Sequence, residues 1–298
     1  MRRLWPTLAL LSLFLPASLA GCGGDNEANQ ADRASVVVTT SILGAIVTAV
    51  VGDAATVDVI MPNGVDPHAW EPSAKDIERV QSADFLVVNG LHLEASLDEA
   101  IDAARADGTV VFEATRHIDV IAVDGDEEHP DGDPHFWTDA AAMADVAIAL
   151  GDALADVGID VGDRASVEYE ELLTLDNELR DESATIDEGS RRLVTGHESL
   201  AYLARAYGFE IVGTVVPGLT SNAEVSAGEL ADLKAVIDEQ GVGVIFTESG
   251  TPSQVVDAIA DEVGVEVVEL DTHLLPEHGS YVTFMRNLVS AIVTALSS

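Results

Sequence analysis

The pentad Asp-Pro-His-x-Trp occurs twice in this chain, as Asp66-Pro67-His68-Ala69-Trp70 and as Asp133-Pro134-His135-Phe136-Trp137. Neutral imidazole is the commonest protein ligand for metals and titrates near physiological pH. The two histidines lie 67 residues apart, too far to share a helix or hairpin. One site assembled from two loops is therefore the first hypothesis. A lone loop histidine is usually only solvated. The matched context, with a proline stiffening the backbone before each, lifts this pair above that reading. A third candidate, His197, follows an apolar β-type run in Thr195-Gly196-His197-Glu198. Glu198 invites the H-E-x-x-H reading, but the residue four after His197 is Ala201, so that motif is absent.

Two carboxylates are placed to join these imidazoles. Glu248 closes the run Val242 to Thr247, and Asp271 follows the run Glu266 to Leu270. His273, two residues beyond Asp271, is an alternative ligand. His129 reads as solvated in an acidic loop and His92 as structural beside Glu94. His117 and His278 carry no matched context.

Short β-branched runs alternating with helical periodicity must position these groups. Strands are expected over Val36–Thr40, Thr56–Met61, Phe85–Asn89 and Thr109–Phe112, then over Leu193–Thr195, Glu210–Val215, Val242–Thr247 and Glu266–Leu270. Helices are expected over Ser41–Val51 with Ser41 as N-cap, Ser73–Gln81, Ala95–Ala106 and Thr138–Val157. Further helices fit Ser199–Tyr207, Ser226–Glu239, Pro252–Val263 and Tyr281–Leu296. A charged helix from Asp163 to about Thr185 carries Leu172, Leu175 and Leu179 at helical spacing. The fold class is α/β, with two lobes of mainly parallel sheet joined by one long helix and a cleft between them. The expected divisions are a first lobe over 35–160, a linking helix over 161–189 and a second lobe over 190–298. Every candidate ligand falls at a strand end or in a loop between lobes, where open α/β sheets bind their ligands.

The start of the chain reads as an export leader over 1–21. Arg2 and Arg3 precede the apolar run Leu8–Leu15, and Ser18-Leu19-Ala20-Gly21 supplies small residues before Cys22, the only cysteine. Residues 22–34 read as a polar tether. With a single cysteine no intrachain disulfide forms. No later segment offers the ~20 uninterrupted apolar residues of a membrane span, and no G-x-x-x-x-G-K-[ST] loop is present. Of 14 cationic side chains two belong to the leader, and the other 12 against 53 carboxylates leave a net charge of −41. Such a surface repels nucleic acid and concentrates cations. It also fits adaptation to salt, which screens self-repulsion. Counting from Asp124, His129 and His135 occupy the sixth and twelfth positions of the acidic loop, where a calcium hand needs Gly and Glu.

The same residues carry a family resemblance over nearly the whole mature chain. Beside the twin pentads, Asn89-Gly90-Leu91-His92-Leu93-Glu94, Gly196-His197-Glu198-Ser199-Leu200-Ala201-Tyr202, Ile245-Phe246-Thr247-Glu248 and Gly279-Ser280-Tyr281 take part. The chain resembles the cluster A-I (cluster 9) solute-binding lipoproteins that deliver zinc or manganese to ABC importers. The resemblance implies a C-clamp of two α/β lobes holding metal as cargo between them, and it makes Leu19-Ala20-Gly21-Cys22 a lipobox with Cys22 acylated. Matching by motif implies His68, His135, His197 and Asp271 as ligands, with Glu248 as alternative or supporting residue. Leu270-Asp271-Thr272-His273 departs from the family's usual Asp-Pro-Leu-Gly, and the loop before the second pentad is short and poor in histidine.

Three imidazoles and one carboxylate suit tetrahedral Zn²⁺, with Mn²⁺ as the second cargo. The expected partners are an ABC permease with a separate ATPase subunit, and the outer face of the membrane through the lipid. The protein is expected to be a monomer and not an enzyme. The rival readings are a surface adhesin, a three-histidine zinc hydrolase and a binding protein for an organic solute.

Overall fold

Runs such as Ser35–Val38 (SVVV) and Phe85–Val88 (FLVV) are apolar on both faces, as strands of a covered parallel sheet must be. A computed structural model of the protein describes residues 33–123, 131–221, 224–248, 250–277 and 280–297. The expected leader, Cys22, nearly all of the tether, the acidic stretch 124–130 with His129, and His278 lie outside the described residues.

The first lobe contains β1 (Ser35–Val38), β2 (Thr56–Val59), β3 (Phe85–Val88) and β4 (Val110–Glu113), all parallel in the order β2-β1-β3-β4. The second repeats that order with β5 (Arg192–Thr195), β6 (Glu210–Thr214), β7 (Val244–Glu248) and β8 (Glu266–Leu270), as β6-β5-β7-β8. In each sheet the chain moves outward from its first strand and then crosses to the other side. That reversal opens a crevice at the carboxyl ends of the strands.

The helices are α1 (Ser41–Val51), α2 (Ala74–Gln81), α3 (Asp98–Ala106), α4 (Ala140–Asp156), α5 (Arg164–Ser183), α6 (Ala201–Tyr207), α7 (Ala227–Gln240), α8 (Ser253–Val263) and α9 (Tyr281–Leu296). Several boundaries move from expectation for identifiable reasons. Thr40, not Ser41, caps α1 by accepting from the Leu43 N–H. Ala95–Leu97 forms a 3₁₀ turn ahead of α3. Asp139 accepts from the Ala141 and Ala142 N–H groups, so α4 starts at Ala140, after a 3₁₀ turn over Phe136–Thr138.

The 20 residues of α5 span about 30 Å. Its Leu172, Leu175 and Leu179 are buried, as their spacing predicts. It does not stand alone: α4 packs along it, and α9 returns from the second lobe to pack on it. One apolar core consequently runs through both lobes, including Ile46 and Phe85 on one side and Phe246 and Met285 on the other. Smaller clusters cover the outer faces of the two sheets. Among the described residues no helix is long and apolar enough to cross a membrane.

Candidate metal centre

The twin pentads share one local device. Asp66 Oδ1 accepts the His68 N–H at 3.0 Å, and Asp133 Oδ1 accepts the His135 N–H at 2.9 Å. This is an Asx turn, an aspartate closing on the backbone two residues on, and proline between them suits its fixed φ. Each histidine is therefore presented from a turn that its own pentad builds.

The pentads then diverge. Asp133 Oδ1 also lies 2.7 Å from His135 Nδ1, so the carboxylate holds the Nδ1–H and leaves Nε2 as the donor to a metal. The second oxygen of Asp66 instead accepts from the Ser221 hydroxyl of the other lobe. Trp70 packs on the outer core of the first lobe. Trp137 donates its indole N–H across the cleft to the Thr272 carbonyl at 3.0 Å.

The His135 loop is braced from both sides. Asn89 donates to the Pro134 carbonyl at 3.0 Å. Asn89 is itself held by buried Glu94, which accepts from the Asn89 N–H and from the Thr39 hydroxyl, both at 2.7 Å. From the second lobe, Tyr202 donates to the Asp133 carbonyl at 2.9 Å and Tyr281 to the Trp137 carbonyl at 2.7 Å. The Tyr207 hydroxyl accepts from the Ala140 N–H at 3.1 Å. At about 1 kcal/mol net each, these phenols hold the loop against the second lobe.

His197 follows β5, at the reversal point of the second sheet. Glu248, the last residue of β7, accepts from the His197 N–H at 3.2 Å and from the Ser199 hydroxyl at 2.6 Å. Its Oε1 also lies 2.9 Å from His197 Nδ1. Gly196 is required there, because a Cβ would run into the Thr251 side chain. Glu248 thus stands behind His197 as Asp133 stands behind His135.

The result is a cluster of three imidazoles, His68, His135 and His197, whose donor atoms lie within 4.8 Å of one another. His68 Nε2 and His135 Nε2 approach to 3.1 Å. Two nitrogens each about 2.0 Å from a tetrahedral zinc sit about 3.3 Å apart, so this spacing fits shared ligation. His135 and His197 are fully buried, and His197 Nε2 has no hydrogen-bond partner. A buried nitrogen left so is costly unless a cation or proton meets it.

The electrostatics point the same way. Burial, reinforced by His135, depresses the His68 pKa to about 2, so this imidazole is held neutral, as a ligand must be. Burial also penalises a charged His197, but Glu248 outweighs it and raises the His197 pKa. Metal therefore competes with a proton at His197. His273 is buried, and its pKa is lowered chiefly by that burial.

The other candidates lie elsewhere. Asp271 is exposed and lines a separate surface cavity with Leu274, Phe284 and Leu288, so it is not brought to the three imidazoles. His92 pairs with Asp98 on the surface, and His117 stacks on Phe112. Asp66, Asp133 and Ser221 are supporting residues whose roles no motif in the sequence assigns. The aspartates were legible in principle, since Asp two residues before His is an Asx-turn spacing. Ser221 left no such signal.

Residues 36–295 match the family described as zinc-uptake complex component A, periplasmic. The chain belongs to that family. Among curated relatives, the zinc-binding protein TroA of Treponema pallidum is 30% identical over 304 residues, covering 97% of each chain. The manganese-binding lipoprotein MntA of Halalkalibacterium halodurans is 28% identical over 290 residues, covering 93% of this chain and 94% of its own. The solved structure of the periplasmic zinc-binding TroA superposes with a TM-score of 0.79 at 27% identity, over 89% of this chain and 99% of that one. The two-lobed α/β fold expected from the sequence is thus the family's fold.

Proposed function

We propose that this protein captures a divalent transition metal outside the cytoplasm, Zn²⁺ in preference to Mn²⁺, and delivers it to the permease of an ABC importer driven by a separate ATPase subunit. The observation that carries this reading is the convergence of His68, His135 and His197 from three loops of two lobes. The relatives' names include both zinc and manganese binding. The donors in this chain are nitrogens, which favour zinc, whereas manganese favours oxygen.

His68 is the one member of the cluster that is only partly buried, so its loop forms the entrance. Metal crossing from the pentad loops to His197 ties the lobes together, and the permease recognises that tied state. Acylated Cys22 would hold the protein, as a monomer, at the outer membrane face, where its net negative charge raises the local cation concentration. Asp133 and Glu248 serve as orienting groups for ligands, and the metal is cargo awaiting release.

Competitive titration of the purified protein with Zn²⁺ and Mn²⁺ tests this. One tight equivalent of zinc, lost in His68→Ala, is expected. No stoichiometric metal at neutral pH would overturn it.

A further inference from the structure

Three imidazoles leave one position of a tetrahedral zinc to fill. Glu248 is committed, with one oxygen on His197 and the other on the Ser199 hydroxyl. Asp271 is exposed on the side facing α9. His273, two residues further, is 5% exposed, and its Nε2 is buried without a hydrogen-bond partner. Its ring lies 5.4 Å from the Trp137 indole, whose centroid is 5.2 Å from that of His135. His273 is therefore one indole away from the cluster.

The backbone that carries His273 is fixed. The Thr272 carbonyl accepts from the Trp137 indole and the His273 carbonyl from the Gly64 N–H, both at 3.0 Å. Asn63 bonds both the N–H and the carbonyl of Leu275 at 2.8 Å. This segment of the second lobe is thus docked on the loop that leads to His68. An imidazole whose Nε2 bonds nothing can turn toward a metal without losing a hydrogen bond.

We propose that His273, rather than Asp271, supplies the fourth ligand, completing an all-imidazole site that selects zinc over manganese. The proposal rests on the metal-capture reading above. Four neutral imidazoles leave the dication's charge to be balanced from behind the ligands, and Asp133 and Glu248 already stand there on His135 and His197. With no oxygen bound to the metal, the site gives manganese little of what it prefers. His273 thereby becomes the specificity-determining residue.

X-ray absorption of the zinc-loaded full-length protein counts the imidazoles directly and needs no variant. Four nitrogens near ~2.0 Å are expected. His273→Ala should weaken Zn²⁺ binding by about tenfold or more, at least what a mere outer-shell partner of a ligand carries, with Asp271→Ala within about threefold of the parent. His273→Asp should raise the Mn²⁺ to Zn²⁺ affinity ratio by about tenfold. Three imidazoles plus oxygen in the parent, with the loss falling on Asp271→Ala, would overturn the assignment of His273 alone. A parent that binds no zinc, or a His68→Ala protein that binds it normally, would instead remove the site itself. Circular dichroism on each variant separates a lost ligand from a lost fold.

Discussion

Asp133→Asn isolates the charge behind one ligand while leaving its shape in place. Asparagine keeps an oxygen where Asp133 Oδ1 accepts from the His135 N–H at 2.9 Å and from Nδ1 at 2.7 Å. The loss is the negative charge on a side chain that is 1% exposed. A hydrogen bond to a charged group contributes about 1.5–3 kcal/mol and a neutral one about 0.5–1.5, a difference on the order of 1.4 kcal/mol or tenfold. Outer-shell carboxylates behind metal-bound histidines typically carry about 10–100-fold in affinity. Zinc binding should therefore weaken by about 10–100-fold, with the metal-free fold retained, because Tyr202 still bonds the backbone carbonyl. Competition against a chromophoric chelator at fixed pH measures this. Asp66→Asn is the comparison: its carboxylate bonds the His68 backbone and Ser221 rather than an imidazole, so its charge reaches the imidazoles only through space. Asp133→Asn staying within about threefold of the parent while Asp66→Asn suffers the larger loss would refute the role given to the Asp133 charge.

Three other outcomes follow from the same geometry. Tyr281→Phe strands the buried Trp137 carbonyl and should cost about 1–3 kcal/mol in urea unfolding; an unchanged midpoint would mean that water replaces the phenol. Gly250→Ala should cost more than Gly158→Ala, although both have positive φ, at +95° and +86°. At Gly250 a Cβ runs into the Asp66 carboxylate, whereas at Gly158 it meets nothing, so equal losses would discount the Asp66–Ser221 contact. Burial and the neighbouring Glu171 raise the Glu168 pKa to about 7. Because the folded value lies above the unfolded one, stability falls as pH rises from about 4.5 through 7. Solvent screening of this partly exposed group reduces the effect to on the order of 1 kcal/mol. Glu168→Gln should gain that much at pH 8 and nothing at pH 4, and a gain that ignores pH would contradict the cause given.

What the sequence determined was whatever neighbours along the chain enforce. β-branched runs placed the eight strands of the described residues to within a few residues, and the leucine spacing marked the buried stripe of α5. The repeated pentad singled out His68 and His135, and the short segment after β5 singled out His197. N-caps were less legible at α1 and α4, where two adjacent polar residues compete and only backbone geometry decides between Thr40 and Ser41. Tertiary structure alone divided the labour between the two pentads. Asp133 turns onto an imidazole while Asp66 reaches Ser221, 155 residues away. Trp70 packs, half-buried, against one lobe's outer core, whereas Trp137 bonds Thr272 from 135 residues away. It alone also turned His273 inward and Asp271 outward beyond β8. Past the last ladder bond no periodicity dictates which way a side chain points. The choice falls to contacts with Gly64, Asn63 and Trp137 on the opposite lobe, which no local pattern encodes.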